Sequence, residues 1–385
     1  MLLQISKLGQ SYQGKIILRL MTLVLLTCIA LGTITPSARA EIIGISLPLS
    51  GDRAKHAKRF LAGAQIAMNV LGGNHELFVA DDGCNPDFAE LAADDLFAKG
   101  AVIITGFLCN ETTKVIATRI RTSGIPLLVS ASRSIRLIKD REREEWNLWR
   151  LAPGDDYPAI ASSQALSSQW KNVAYAIVDD GTIYGRTLAD TFRGLMEDES
   201  IPPQFVETFR PAQSTQASLV RRLNRSGIEA VFIAAATSDD IFTIAKNMAE
   251  LDAKFEIVTT EAIASLPFLE NVDEVEPGIR VVMPQPNNAD FLHPQIKTAI
   301  EQADETPDAM FMQGIASIEV ALQAINSSPE EVTEKLSKSA FQTILGPVQF
   351  DADGRNIQNP YKIYVWNGEE FITENEFELQ RAKTQ

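Results

Sequence analysis

Histidine, cysteine and paired acids carry most enzyme chemistry, and this chain of 385 residues holds only three His and three Cys. That leaves little material for a metal cluster or an imidazole-based catalytic centre. His75-Glu76 is not followed by a second His at the zinc-binding helical spacing. Asp351-Ala352-Asp353-Gly354 resembles the start of a calcium loop. Glycine, however, misses the sixth position, and Lys362 stands at the twelfth, where a glutamate ligand is needed. The segment therefore reads as a turn before the last strands. GxGxxG, GxxxxGK(S/T) and GxSxG are all absent, so dinucleotide, nucleoside-triphosphate and hydrolase-elbow sites lack their signatures. Fifty acids contain no pair whose spacing marks it as catalytic. Neither a cofactor nor a metal is called for.

The chain does offer polar, acidic and aromatic residues in loops placed directly after apolar runs. Ser50-Gly51, Cys109-Asn110-Glu111-Thr112, Ser130-Ala131-Ser132-Arg133, the stretch Asp179 to Gly185 containing Tyr184, and Thr259-Thr260-Glu261 are such loops. Each run before them is short, continuous and apolar, as in strands of a parallel sheet covered on both faces. Glu41 to Leu47, Leu77 to Ala80, Ala101 to Thr105 and Ile125 to Val129 form a first series. Helical stripes at Lys58–Leu71, Phe88–Lys99 and Thr112–Ser123 separate its members. The alternation restarts with strands at Val173–Val178, Gln204–Phe209, Ala230–Ala235 and Phe255–Thr259. Helices at Gly185–Glu199, Leu219–Ser226 and Asp239–Leu251 lie between them.

Two such series predict an α/β protein of two similar lobes, each a mainly parallel sheet flanked by helices. Open sheets of this kind bind ligands at the carboxyl ends of their strands, where these loops fall. Helix N-termini there suit a carboxylate, and Glu261 suits an ammonium ion. The last third starts no third domain. Ile279 to Met283 reads as a strand crossing back to the first lobe, Asp308 to Ile325 as a long helix apolar around much of its surface, and Tyr361 to Trp366 as a late edge strand. No low-complexity linker intervenes, so several ordered crossings form a multi-strand hinge. The expected division is lobe 1 from 41–151 plus 285–341 and lobe 2 from 152–284 plus 342–385. The charge run Lys139 to Glu145 reads as a solvated helical face.

Residues 1–40 carry Lys7, Lys15, Arg19 and Arg39 and no acid, with an apolar run from Leu20 to Leu31 and then Ser37-Ala38-Arg39-Ala40. The run is too short to span a bilayer, and the layout is that of a secretory signal peptide cleaved after Ala40. A lipidated Cys28 is the rival reading, although Thr27 is not the small residue usual before such a cysteine. Cleavage removes Cys28 and deepens the net charge from −15 to −19. That acidic balance works against nucleic acid or an anionic bilayer as partner.

Several short segments together carry a family resemblance: Leu49-Ser50-Gly51, Asp81-Asp82-Gly83-Cys84-Asn85-Pro86, Gly106-Phe107-Leu108-Cys109, Tyr184-Gly185, Glu261 and Gly346 to Asp351. Over essentially the whole mature chain the sequence resembles the periplasmic binding proteins of branched-chain amino-acid ABC transporters. These are the type I, leucine/isoleucine/valine-binding group. The resemblance implies the type I periplasmic-binding-protein fold, a Venus-flytrap clamshell, and a Cys84–Cys109 disulfide. Closing that loop of about 26 residues is worth about 3 kcal/mol.

It implies further that a serine and backbone amides after the second cysteine grip the ligand carboxylate, where this chain has Asn110 and Glu111. Ser50, after the first strand, is a further candidate ligand residue. The ammonium group is met by the loop matching Ala131-Ser132-Arg133 and by the acid matching Glu261. A threonine is usual where Arg133 stands. Arg133 either points to solvent or contacts an extra acidic group on the ligand. Tyr184 matches an aromatic that closes over the ligand, or simply packs at the hinge lip. His56 falls where another aromatic lines the pocket, or is a surface loop histidine. Ala236 replaces a further aromatic, which widens the pocket. Glu261 is otherwise a solvated acid or a helix cap.

The implied function is capture of an amino acid or related small zwitterion or carboxylate in the periplasm, followed by delivery to an ABC permease. The protein is expected to act as a monomer and to catalyse no reaction. A sensory ligand-binding module that signals to a receptor, and an enzyme using cleft carboxylates, are the alternatives.

Overall fold

The computed structural model describes residues 40–264, 277–284, 293–325 and 328–384. The expected signal peptide, including Cys28, lies outside the described residues.

Strands β1 (Ile42–Leu47), β2 (Glu76–Asp81), β3 (Ala101–Gly106), β4 (Leu127–Val129) and β5 (Leu148–Arg150) form a wholly parallel sheet in the order β2-β1-β3-β4-β5. Alternate side chains feed two cores. Ile103 and Leu128 enter one with Phe60 and Ile315, whereas Ile104, Leu127 and Val129 enter the other with Leu96 and Ile116. Burial on both faces is why these strands read as unbroken apolar runs.

The second sheet repeats the plan. Its parallel part runs β7 (Phe205–Thr208), β6 (Tyr175–Asp179), β8 (Ala230–Ala234), β9 (Glu256–Thr260) and β10 (Arg280–Pro284). Antiparallel β13 (Tyr361–Trp366) and β14 (Phe371–Thr373) extend it beyond β10. The strand order reverses at β1/β3 in the first sheet and at β6/β8 in the second, and such switch points open a crevice at the strands' carboxyl ends.

Local chemistry sets the helix boundaries. Asn85 caps helix Pro86–Lys99 by accepting from the Asp87 and Phe88 N–H groups, and Gly100, at φ 78°, closes it in the left-handed region. Thr182 caps Ile183–Asp198 through the Gly185 N–H at 3.0 Å. Asp308 caps the buried helix Ala309–Ala324 through the Phe311 N–H at 2.9 Å. That helix lies against Ala54–Leu71 so closely that a Cβ added to Gly63 would sit 2.0 Å from the Phe311 carbonyl oxygen. One added to Gly314 would sit 2.0 Å from that of Phe60.

Four sequence expectations need correction. Ile279 to Met283 is not the return to the first lobe: β10 lies inside the second sheet between β9 and β13, and the chain leaves it only after Pro284. Tyr361 to Trp366 is not an edge strand, because β14 pairs along its outer side and both its faces are buried. The hairpin β11 (Ala340–Thr343) and β12 (Gly346–Gln349), together with Phe350, packs in the first lobe's core, so the chain stays there past 341. The run from Lys139 leaves its helix, Ile135–Arg141, halfway. Arg141 is not merely solvated, since its guanidinium lies 4.9 Å from the Trp149 ring centre and bonds the Ala352 carbonyl.

Both sheets belong to one compact unit, Ile42–Gln385. Two of the crossings can be followed between them. The chain passes from β5 through Gly154 into helix Tyr157–Leu166, and returns from Phe350 to Tyr361 alongside it. The Arg150 N–H donates to the Gly354 carbonyl, and the Asn356 N–H to that of Arg150. The Asp351–Gly354 segment is the expected turn, with Gly354 at φ 79°. Its carboxylates pair with Arg355.

Candidate ligand-binding site

Aspartates at the ends of two strands shape the loops around the crevice. Fully buried Asp82 accepts from the Ser46 hydroxyl at 2.7 Å and the Cys84 N–H at 2.9 Å. Burial pushes its carboxyl up, against those hydrogen bonds. In the second lobe, buried Asp180 accepts from the Thr182 N–H, the Thr182 hydroxyl and the Ala236 N–H. It thereby ties the loop after β6 to the loop after β8. Gly185 is required there, because a Cβ would meet the Asp180 carboxylate at 2.2 Å.

Cys84 and Cys109 form a disulfide with Cα atoms 5.5 Å apart. It joins the turn after β2 to the N-terminus of helix Asn110–Arg119, whose cap residue Cys109 supplies no side-chain acceptor. Unpaired first-turn N–H groups at such an end favour an anion. The Ser132 hydroxyl donates to Asn110 Oδ1, so β3 and β4 present their loops as one surface. Glu111 is exposed and pairs with Lys114 at 3.2 Å. Ser50 is exposed beside the Gly83 turn. His56 is exposed on the first turn of helix Ala54–Leu71 rather than in a loop.

Arg133 is held by the second sheet rather than pointing freely to solvent. Its Nη1 donates to Glu261 Oε1 at 3.0 Å and its Nη2 to the Tyr361 hydroxyl at 2.5 Å, while that hydroxyl donates to the same Glu261 oxygen at 3.0 Å. Its guanidinium carbon also lies 5.5 Å from the Tyr361 ring centre. A loop of the first sheet is thus bound to two strand ends of the second. Glu261 is accordingly neither a solvated acid nor a helix cap.

Burial opposes the Arg133 charge, but Tyr361 and Glu261 outweigh it and hold the guanidinium pKa above its ordinary value. The Tyr361 phenol is raised by burial and by the Glu261 charge. Tyr184 lies within the field of Glu261 and Arg133, and burial pushes its phenol up to about 12. The structure therefore brings Arg133, Tyr184 and Glu261 together and joins Ser132 to Asn110. Exposed Ala236 is tied through Asp180 to Thr182 in the loop that precedes Tyr184, and Ala131 lies in the Arg133 loop.

Sequence reasoning missed Tyr361, Arg150 and Asp155. Fully buried Arg150 donates from Nη1 to the Arg133 carbonyl at 3.2 Å, and the Asp155 N–H donates to that carbonyl at 3.1 Å. Burial and neighbouring Asp156 hold the Asp155 carboxyl above the usual range. An arginine and an aspartate at a crossing carry no motif. Tyr361 offered only the signal of an aromatic at the start of a strand.

This two-sheet crevice defines a clamshell solute-binding protein. Residues 42–370 match the sequence model of the periplasmic binding protein family, and the chain belongs to that family. It is 23% identical over 339 residues to Leu/Ile/Val-binding protein homolog 2 of Brucella abortus (strain 2308), covering 84% of this chain and 90% of that one. A putative branched-chain amino acid ABC transporter from Rhodospirillum rubrum has the same fold. Its TM-score is 0.76 at 16% identity, covering 87% of this chain and all of that one. A solute-binding protein of an R. palustris ABC transporter, solved in complex with benzoate, superposes with a TM-score of 0.62 at 14% identity, covering 87% and 96%. The expected fold is therefore the one adopted, and a solute-binding role follows from the family.

Proposed function

We propose that this chain is exported, closes its two lobes on a small solute bearing a carboxylate, and delivers that solute to an ABC permease. The observation that carries this reading is the contact of Arg133, after β4, with Glu261 and Tyr361 of the other sheet. It supports a single cleft shared by both sets of strand ends, which hinge bending completes. The relatives support the solute class: one is named for leucine, isoleucine and valine and another was solved with benzoate, and all four are carboxylates on an apolar body. The uncapped helix at Asn110 supplies the matching anion end. Asn110, Glu111, Ser132 and Ser50 surround the carboxylate on this reading, and Tyr184, His56 and Ala236 the apolar body. No reaction is proposed, since both cleft tyrosines are shifted upward, away from use as a base or nucleophile at neutral pH.

The test is a thermal-unfolding panel on refolded, ligand-free protein with amino acids, aliphatic and aromatic carboxylates, sugars and polyamines. A carboxylate should raise the midpoint, and at a hundredfold excess over Kd the stabilisation is about 2.7 kcal/mol. A shift from a sugar or polyamine, with every carboxylate inert, overturns the reading.

A further inference from the structure

In a cleft that binds an amino acid, an acid such as Glu261 balances the ligand's ammonium charge. Here the protein brings its own cation to that acid. Arg133 and Glu261 form a neutral pair at 3.0 Å, and Tyr361 bonds to both partners. The pair is anchored from behind by Arg150 and the Asp155 N–H on the Arg133 carbonyl. Asp155, the other acid whose charge reaches Arg133, is held above the usual carboxylate range by burial and by neighbouring Asp156. An ammonium entering here meets an acid already neutralised and a fixed guanidinium of its own sign.

The unused atoms point the same way. Within the Arg133–Glu261–Tyr361 cluster the Arg133 Nε–H and Glu261 Oε2 are buried without a partner, as are Thr260 Oγ1 and Asp155 Oδ1 beside it. A hydroxyl can accept from the Arg133 Nε–H as well as donate, whereas an ammonium brings three donors and no acceptor and leaves that donor unmet.

We propose that Arg133 is a specificity-determining residue that turns this cleft against α-amino acids and toward carboxylic acids with an uncharged group, hydroxyl or hydrogen, in the ammonium position. This deepens the reading given under Proposed function and rests on it.

The test uses matched ligands that differ only at that position. They are leucine, 2-hydroxy-4-methylpentanoate and 4-methylpentanoate, and phenylalanine, 3-phenyllactate and 3-phenylpropanoate, titrated calorimetrically into ligand-free protein. In the wild type the hydroxy or unsubstituted acid should bind at least tenfold more tightly than its amino counterpart. Arg133→Thr should reverse that order, because Glu261 is then free for an ammonium. Arg133→Met is the second variant should the first fail to fold: it keeps the side-chain length, removes the guanidinium and should likewise abolish the tenfold preference. A wild type that prefers the amino acids, or an Arg133→Met variant that keeps the tenfold preference, overturns the proposal while leaving carboxylate capture intact. If no carboxylate binds and another solute class does, both this proposal and the reading beneath it fail.

Discussion

Arg133 is one side chain whose place inverts what its neighbours do. Read alone it is a cation in the loop after β4; paired with Glu261 it removes a charge from the cleft. Glu319 is a second residue whose surroundings decide its state. It lies buried on helix Ala309–Ala324 and accepts the Ile344 N–H at 2.7 Å, and burial raises its carboxyl to about 7. A carboxyl held above its unfolded value keeps its proton in the folded state after the unfolded chain has lost it. Its contribution to stability is therefore full below about 4.5 and declines as pH rises toward about 7. The decline should be on the order of 3 kcal/mol. Chemical denaturation at pH 5 and pH 8 should show it in the wild type, and Glu319→Gln, which still accepts from Ile344, should flatten it. An unchanged pH dependence in the variant would exclude Glu319 as the source.

Among the elements, helices Ala54–Leu71 and Ala309–Ala324 form the pair on which the first lobe's core depends. Gly63 and Gly314 face the partner helix's backbone at distances no side chain tolerates. Gly314→Ala should therefore cost about 3 kcal/mol, the upper end for overpacking, because the Phe60 carbonyl cannot yield as a side-chain tip would. Urea unfolding measures it, and a loss below about 0.5 kcal/mol would show that the helices separate without penalty. The patterning of the long helix was legible, since Phe311, Ile315 and Ile318 are apolar around its girth. Its close approach was not, for a glycine in a helical pattern does not say which backbone will pass it.

For the whole molecule, export and the disulfide are tested together. Protein recovered from the periplasmic fraction of a bacterial host should have the mass of a chain beginning at Glu41, less two hydrogens. It should show no reactive thiol when denatured without reductant. An intact leader, a lipid-modified Cys28 or two titratable thiols would each contradict the expectation. The molecule's division was also only partly readable from sequence. Two βα series announced two lobes, but the hairpin Ala340–Gln349 packs against the first core although an apolar β segment there reads equally well in either lobe. Which sheet receives a late strand depends on which edge is still open, and β10 offered its edge to β13.

Local order determined much of this protein. Buried strands show as continuous apolar runs, helices as periodic stripes with Asn85, Thr182 and Asp308 at their starts, and ligand loops as the polar residues that follow each strand. These features depend on neighbours a few residues apart, so the sequence carries them directly. The tertiary structure alone decided what the loops do to one another. Arg133 meets Glu261 across 128 positions and Tyr361 across 228, because the chain crosses between sheets and brings back a strand no motif marks. Side-chain charge is a property of the residue, but whether that charge is spent on the protein or offered to a ligand is a property of the fold.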